Sequence, residues 1–156
     1  MTISTEHRRI SEYQLSAHVE IDRPAALVWA LVADYRIDPR WRHGVSRMQP
    51  TPAGAVQIGT TTDEAMRLAG QSYRNLGLVT AVRPGEHFAW RTTAGADANG
   101  SRTVTPVAED RCILHLAVAA RVTGRQRVIG PLLALMLQRN LSADAYRLKE
   151  LAERPQ

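Results

Sequence analysis

The sequence predicts an α+β domain in which one strand and two short helical segments precede six further strands and one long C-terminal helix. Two observations carry this prediction: the middle of the chain alternates polar and apolar residues between tight turns, and the C-terminal leucines recur every three or four positions. Hydrophobic residues make up 44% and charged residues 22%, which is typical of a globular protein. Because no linker or repeat divides the chain, we expect one domain over residues 1–156, with an ordered core at about 12–153.

The N-terminal third predicts a strand followed by two short helical segments. Tyr13–Ile21 alternates apolar with polar residues, the period of a half-buried strand. Asp22, as a capping side chain, and Pro24, with its fixed φ, predict the start of a helix over Ala25–Ala33. A second helical turn is predicted around Tyr35–Trp41.

Six strands separated by short turns predict an antiparallel meander through the middle of the chain. Asn99–Gly100 is interpreted as one of the hairpin turns, because both residue types tolerate positive φ. The predicted strands are Val45–Gln49, Ile58–Leu68, Ser72–Val82, Glu86–Thr93, Ser101–Ala108 and Arg111–Val122.

The C-terminal segment from about Gly130 to Glu153 has the helical period and would be about 35 Å long. One apolar stripe contains Leu137, Leu141 and Leu148. The stretch Val128–Leu137 is hydrophobic nearly all round. Burial is the default account of that stretch, and a dimer contact or an entrance for lipid-like ligands are the alternatives.

Charge and cysteine content limit the classes of partner and the cellular compartment that we expect for this protein. The formal net charge is +5, but the arginines are spread along the chain rather than clustered, so we expect no nucleic-acid partner. Cys112 is the only cysteine, which suits a reducing compartment. No apolar run reaches the ~20 residues of a membrane span, and Met1–Ser11 is not expected to act as a signal peptide, because no apolar run follows its arginines. We therefore expect a cytoplasmic protein without stable membrane insertion, either a monomer or a homodimer.

The opening of the chain, residues 19–34 (VEIDRPAALVWALVAD) and 39–45 (PRWRHGV), resembles the polyketide cyclase/dehydrase family of the START-like (SRPBCC, helix-grip) superfamily. Later segments at 58–60, 79–84 and 88–90 resemble further landmarks of that family. The resemblance implies a seven-stranded curved antiparallel sheet wrapped around the long C-terminal helix. It also implies an internal cavity between helix and sheet.

Turn geometry predicts which side chains face such a cavity. A two-residue turn at Glu109–Asp110 pairs the flanking residues, which places alternate positions of both strands on one face. Arg102 would then lie on the solvent face. The predicted ligand-binding residues on the strands and on the helix stripe are Phe88, Trp90, Thr103, Thr105, Leu114, Leu116, Leu137 and Leu141.

The hairpin around Ala69–Gly70 is assigned in the same way. Direct pairing of Leu68 with Gln71 puts two residues of each strand on a shared face, namely Glu64, Met66, Tyr73 and Asn75. This arrangement also sends Leu76 and Leu78 outward, so a bulge that reverses part of the hairpin stays open.

Two of these residues are candidates for chemistry. Glu64 in an apolar cavity would have a raised pKa and serve as an acid or base; a solvated strand carboxylate is the alternative. Tyr73 would donate a hydrogen bond to a ligand carbonyl or enolate, or would be a plain wall residue. The five histidines are too scattered for a metal site, and we expect no metal and no cofactor.

The function predicted from these features is the binding of a small hydrophobic or aromatic molecule, polyketide-like or lipid-like, in the internal cavity. By resemblance, an enzyme of this kind would catalyse cyclisation, aromatisation or dehydration. The alternative is a carrier or sensor of a hydrophobic metabolite that performs no chemistry.

Overall fold

The computed structural model describes residues 9–155. It contains seven strands, two α-helices and two 3₁₀ helices (η1 and η2). In chain order they are β1 (Ile10–Ile21), α1 (Ala25–Val32), η1 (Tyr35–Arg40), β2 (Val45–Thr51), β3 (Thr61–Leu68), β4 (Gln71–Arg83), β5 (His87–Ala94), β6 (Asp97–Ala108), β7 (Arg111–Thr123), η2 (Gly124–Arg127) and α2 (Gly130–Glu153). The predicted order of elements is confirmed, and α2 has the predicted bounds.

All seven strands form one antiparallel sheet in the order β1-β7-β6-β5-β4-β3-β2. Strands β2 to β7 follow one another as a meander, and β1 returns to pair with β7 over its whole length, from Ile10 opposite Thr123 to Ile21 opposite Cys112. The predicted α+β fold with a seven-stranded antiparallel sheet is therefore confirmed.

Helix α2 lies across the sheet and runs in the same direction as β1. Near its middle, the Gln138 amide donates to the Ser16 carbonyl at 2.7 Å. Near its end, the Arg23 guanidinium donates to the Ala152 carbonyl at 3.0 Å. No helix within residues 9–155 is both long enough and apolar enough to cross a bilayer.

The apolar core is concentrated at the end of the sheet where α1 and η1 pack. Val28 and Val32 of α1, Trp41 after η1 and Leu148 of α2 are almost completely buried in one cluster. This cluster fills the space under the second half of α2. The space under its first half is left for the cavity described below.

Two local predictions are wrong. Asp22 does not cap α1, because Pro24 is itself the N-cap residue and its carbonyl accepts the amides of Leu27 and Val28. Asn99–Gly100 is not a turn but lies inside β6. Gly100 is required there by close packing, since a Cβ would come within 2.4 Å of the Ala117 carbonyl oxygen and 2.6 Å of the Trp90 ring.

The facing predicted for β6 is also wrong. The turn does pair Ala108 with Arg111, but a β-bulge between Pro106 and Ala108 shifts the register by one residue. A one-residue shift moves every earlier side chain of the strand to the other face. Arg102 therefore points inward and is only 5% exposed.

The β3–β4 hairpin keeps the simplest pairing, with Leu68 opposite Gln71. Ala69 and Gly70 both have positive φ, 52° and 76°, as a two-residue type I′ turn requires. The bulges of β4 lie in its pairing with β5 and leave the pairing with β3 unbroken.

Candidate functional site

A cavity of about 540 Å³ lies between the concave face of the sheet and the first half of α2. Tyr35 and Trp41 close it at the end where η1 and the core lie. At the other end it reaches exposed residues of the β5–β6 turn and of η2. Its walls are mainly apolar, and the apolar lining residues include Leu15, Met48, Met66, Trp90, Leu116, Val118, Leu133, Leu137 and Leu141.

A polar cluster of three residues, Arg42, Glu64 and Asn75, interrupts this apolar wall. Arg42 follows η1, whereas Glu64 and Asn75 lie directly opposite each other on β3 and β4. The Arg42 Nη1 atom donates to Glu64 Oε2 at 2.7 Å, and the Asn75 amide donates to Glu64 Oε1 at 2.9 Å. Both carboxylate oxygens of Glu64 are thus occupied by donors that belong to the protein.

The ion pair between Asp38 and Arg102 lies behind this cluster. Arg102 donates to the two Asp38 oxygens at 2.9 and 2.6 Å, and Asp38 is completely buried. The guanidinium also lies 4.8 Å from the ring centre of Tyr35 and 4.9 Å from that of Trp41. Since Arg42 donates to Asp38 as well, at 3.1 Å, the ion pair and the polar cluster form one network of two cations and two anions.

The pKa expected for Glu64 is corrected by this network. Burial by itself would raise the pKa of the Glu64 carboxyl, as predicted, but the charge of Arg42 and the hydrogen bonds from Asn75 and Arg42 outweigh it and lower the pKa. Burial likewise acts to lower the pKa of Arg42, and the charges of Glu64 and Asp38 raise it. Glu64 is therefore held as a carboxylate at neutral pH.

Asp144 on α2 is a second carboxyl group that lines the cavity. It accepts the backbone amide of His43 at 2.8 Å and a hydrogen bond from Arg147 at 3.0 Å. Burial raises the pKa of Asp144 despite the hydrogen bond from His43 and the positive charge of Arg42. Glu64 and Asp144, the two buried carboxyl groups that line the cavity, thus differ in the direction of their pKa shifts.

Most of the residues predicted from sequence converge on the cavity. Tyr73 lies opposite Met66 on the β3–β4 hairpin, and both line the cavity together with Glu64 and Asn75. The other predicted residues that line it are Trp90, Leu116, Leu137 and Leu141. Whether any of them binds a ligand or takes part in a reaction remains a prediction.

Four of the predicted residues do not line the cavity. Phe88 is fully buried and packs edge-on against Tyr35, with 5.6 Å between ring centres. Leu114 is fully buried in the core cluster. Thr103 and Thr105 lie on the opposite face of β6 because of the bulge, and Thr103 contacts His87 at 2.7 Å.

Sequence reasoning missed Asp38, Arg42 and Arg102 as members of the site. The i,i+4 spacing of Asp38 and Arg42 was a usable signal for their ion pair. Within residues 9–155, no three His, Cys, Asp or Glu side chains are grouped so that they could hold a metal ion.

A seven-stranded antiparallel sheet that holds a long C-terminal helix and leaves a cavity beside it defines the START-like, or helix-grip, class of proteins. Within that class, the chain belongs to the polyketide cyclase / dehydrase and lipid transport family, which matches residues 13–153. The resemblance noted in the sequence is thereby confirmed.

Solved structures support the same fold at low sequence identity. The Zhui aromatase/cyclase from Streptomyces sp. R1128 is 17% identical, with a TM-score of 0.79 over 92% of this chain and 95% of that chain. A START superfamily protein from Mycobacterium smegmatis is 17% identical, with a TM-score of 0.76 over 90% and 97%. Norcoclaurine synthase from Thalictrum flavum, in complex with dopamine and hydroxybenzaldehyde, is 13% identical, with a TM-score of 0.66 over 94% and 91%. No curated protein matches the sequence.

Proposed function

We propose that this protein binds a small hydrophobic or aromatic molecule that carries at least one polar oxygen. The observation that carries the proposal is the polar cluster of Arg42, Glu64 and Asn75 set in the wall of a mainly apolar cavity of about 540 Å³. Such a combination, an apolar hollow with a few fixed polar groups, is typical of small-molecule sites.

The chemistry of the cluster favours an uncharged guest. Two cations, Arg42 and Arg102, are balanced by two anions, Asp38 and Glu64, so the network has no net charge to offer a carboxylate. Trp90 presents an aromatic surface to the same cavity, which suits a planar ligand. A hydroxylated aromatic ketone combines these features.

Binding can be tested with 1-hydroxyanthraquinone as the probe, titrated by isothermal calorimetry. Leu137→Trp fills the cavity and is expected to weaken binding at least tenfold, because the added indole occupies the volume that the probe needs. Leu132→Trp, on the outer face of the same helix, is the matched control and is expected to bind like the wild type. Equal affinity in all three proteins would refute binding in this cavity.

Catalysis of cyclisation or dehydration is the second candidate function. It is favoured by two buried carboxyl groups that line one cavity, since burial raises the pKa of Asp144 while the network around Arg42 outweighs burial and lowers that of Glu64. Sites with separated carboxyl pKa values supply a proton donor and a proton acceptor. Tyr73 adds a phenol that can hydrogen-bond a ketone oxygen.

Proton exchange at carbon distinguishes catalysis from simple carriage. The α-protons of 2-tetralone, an aromatic ketone, can be followed by NMR in deuterated buffer. An enzyme would accelerate exchange, and Glu64→Gln and Tyr73→Phe would remove the acceleration while the probe still binds. Binding of 2-tetralone without any acceleration by the wild type would identify a carrier or sensor instead.

The cytoplasm is the compartment that we propose, and the reduced state expected of a lone cysteine, Cys112, supports it. Recovery of the protein in the cytoplasmic fraction of lysed cells would support the proposal, and its recovery in an exported fraction would overturn it.

A further inference from the structure

The outer face of the first turns of α2 is apolar where a surface helix is normally polar. Four side chains in and just before these turns are unusually exposed: Val128 (85%), Ile129 (50%), Leu132 (60%) and Leu135 (51%). The spacing of Val128, Leu132 and Leu135 places them on one stripe. The opposite stripe, with Leu133 and Leu137, lines the cavity, so this end of the helix is apolar on both sides.

The segment that carries this stripe has only positive charges. Residues 121–139 contain four arginines and no aspartate or glutamate. Arg121 is paired with Asp97, and Arg127 donates to the Ser11 hydroxyl. Arg125 and Arg139 are exposed, and neither forms an ion pair with any carboxylate among residues 9–155.

We propose that this stripe, flanked by Arg125 and Arg139, is a peripheral docking surface for an anionic lipid bilayer. This helix carries apolar side chains bordered by arginines, and its apolar part is too short to span a membrane. These are features of helices that lie in the membrane interface. The surface lies beside the open end of the cavity, since Gln126 and Gly130 of the same segment line it. Docking there would bring that opening to the lipid surface.

A second copy of the chain fits this surface less well. A two-fold contact places the same patch on both partners, so the arginines of one copy would meet a segment of the other copy, residues 121–139, that contains no carboxylate. Anionic headgroups supply the missing negative charge, and each arginine near such a surface strengthens binding roughly fivefold. Charge complementarity thus selects the membrane.

The test is co-sedimentation of the full chain with large unilamellar vesicles. Vesicles of phosphatidylcholine with 30% phosphatidylglycerol are compared with vesicles of phosphatidylcholine alone, at low and at high salt. Leu132→Ser/Leu135→Ser removes the centre of the stripe, and Arg125→Gln/Arg139→Gln removes the flanking charge. Ile58→Ser is the matched control, because Ile58 is 71% exposed but lies in the loop before β3.

We expect the wild type to bind the anionic vesicles and to dissociate at high salt. The leucine variant should bind at least tenfold more weakly, the arginine variant about 25-fold more weakly, and the Ile58 variant like the wild type. No binding to anionic vesicles, or equal loss in the Ile58 variant, would overturn the proposal. The proposal would also be overturned if the wild type forms a concentration-dependent dimer in sedimentation velocity, the leucine variant abolishes that dimer, and no vesicle binding is seen.

Discussion

The end of the cavity that Tyr35 and Trp41 close is its floor. The ion pair between Asp38 and Arg102 gives the sharpest test of what stabilises this cavity floor. In Asp38→Asn the side chain keeps its shape but loses its charge, so the network changes from neutral to a net charge of one. Asp38 is completely buried and Arg102 is 5% exposed, and water therefore cannot compensate the change. Breaking such a buried pair by removing one partner typically costs about 3–5 kcal/mol.

The structure supplies a matched control within the same segment. Asp34 pairs with Arg36 at 2.7 Å, but Arg36 is exposed, and Asp34 also caps η1 by accepting the Arg36 amide. Asparagine can still cap, and an exposed ion pair is worth at most about 1 kcal/mol. Asp34→Asn should therefore lower the free energy of unfolding by less than about 1 kcal/mol.

Urea unfolding, followed by circular dichroism and by tryptophan fluorescence, measures both changes. We expect an unchanged m-value and a large shift in midpoint for Asp38→Asn. The double variant Asp38→Leu/Arg102→Met should recover most of the loss, because a buried ion pair can be replaced by apolar side chains at little cost. If Asp38→Asn is no less stable than Asp34→Asn, the network does not hold the floor and the reasoning fails.

Three further predictions concern packing, pH and the thiol. Gly100→Ala should lower the free energy of unfolding by about 1–3 kcal/mol and shift the Trp90 emission, because the new methyl group collides with the ring and with the Ala117 carbonyl. Glu64→Gln should cost about 1.5–3 kcal/mol at pH 7. Since the lowered pKa of Glu64 stabilises the folded state only above its unfolded pKa, the gap from the wild type in urea titrations should close as the pH falls below about 4.3. Cys112 is buried, and desolvation raises the pKa of its thiol, so Ellman's reagent should label it only as fast as the protein unfolds; rapid labelling of folded protein would contradict this.

The sequence predicted the elements well because their signals are local. The bounds of α2 follow from the spacing of its leucines, and the two-residue turn at Ala69–Gly70 sets the register of β3 and β4. That register in turn places Glu64 and Asn75 side by side, as predicted. Periodicity and turn length can be determined from the residues of one element or of two neighbouring strands.

The cavity floor could not be predicted because its contacts join distant segments. Arg102 and Asp38 are 64 residues apart, and nothing local marks either one as buried. The prediction of which β6 side chains face the cavity failed for a more local reason. Pro106 has no backbone N–H to donate, and the bulge beside it moves the earlier side chains of the strand to the opposite face. A proline inside a strand is a known sign of a bulge and was the signal available.

The size of the cavity itself argues for an occupant. At about 20–25 cal/mol per Å³, a dry void of about 540 Å³ would cost on the order of 10 kcal/mol, comparable with the whole stability of a typical domain. A hollow of this size is therefore filled either by water or by a guest. Because most of the wall is apolar, water gains little there, and a hydrophobic molecule that displaces it gains the full benefit of burial. The fold can leave the space under the first half of α2 hollow, because the apolar core under the second half of α2 supplies stability.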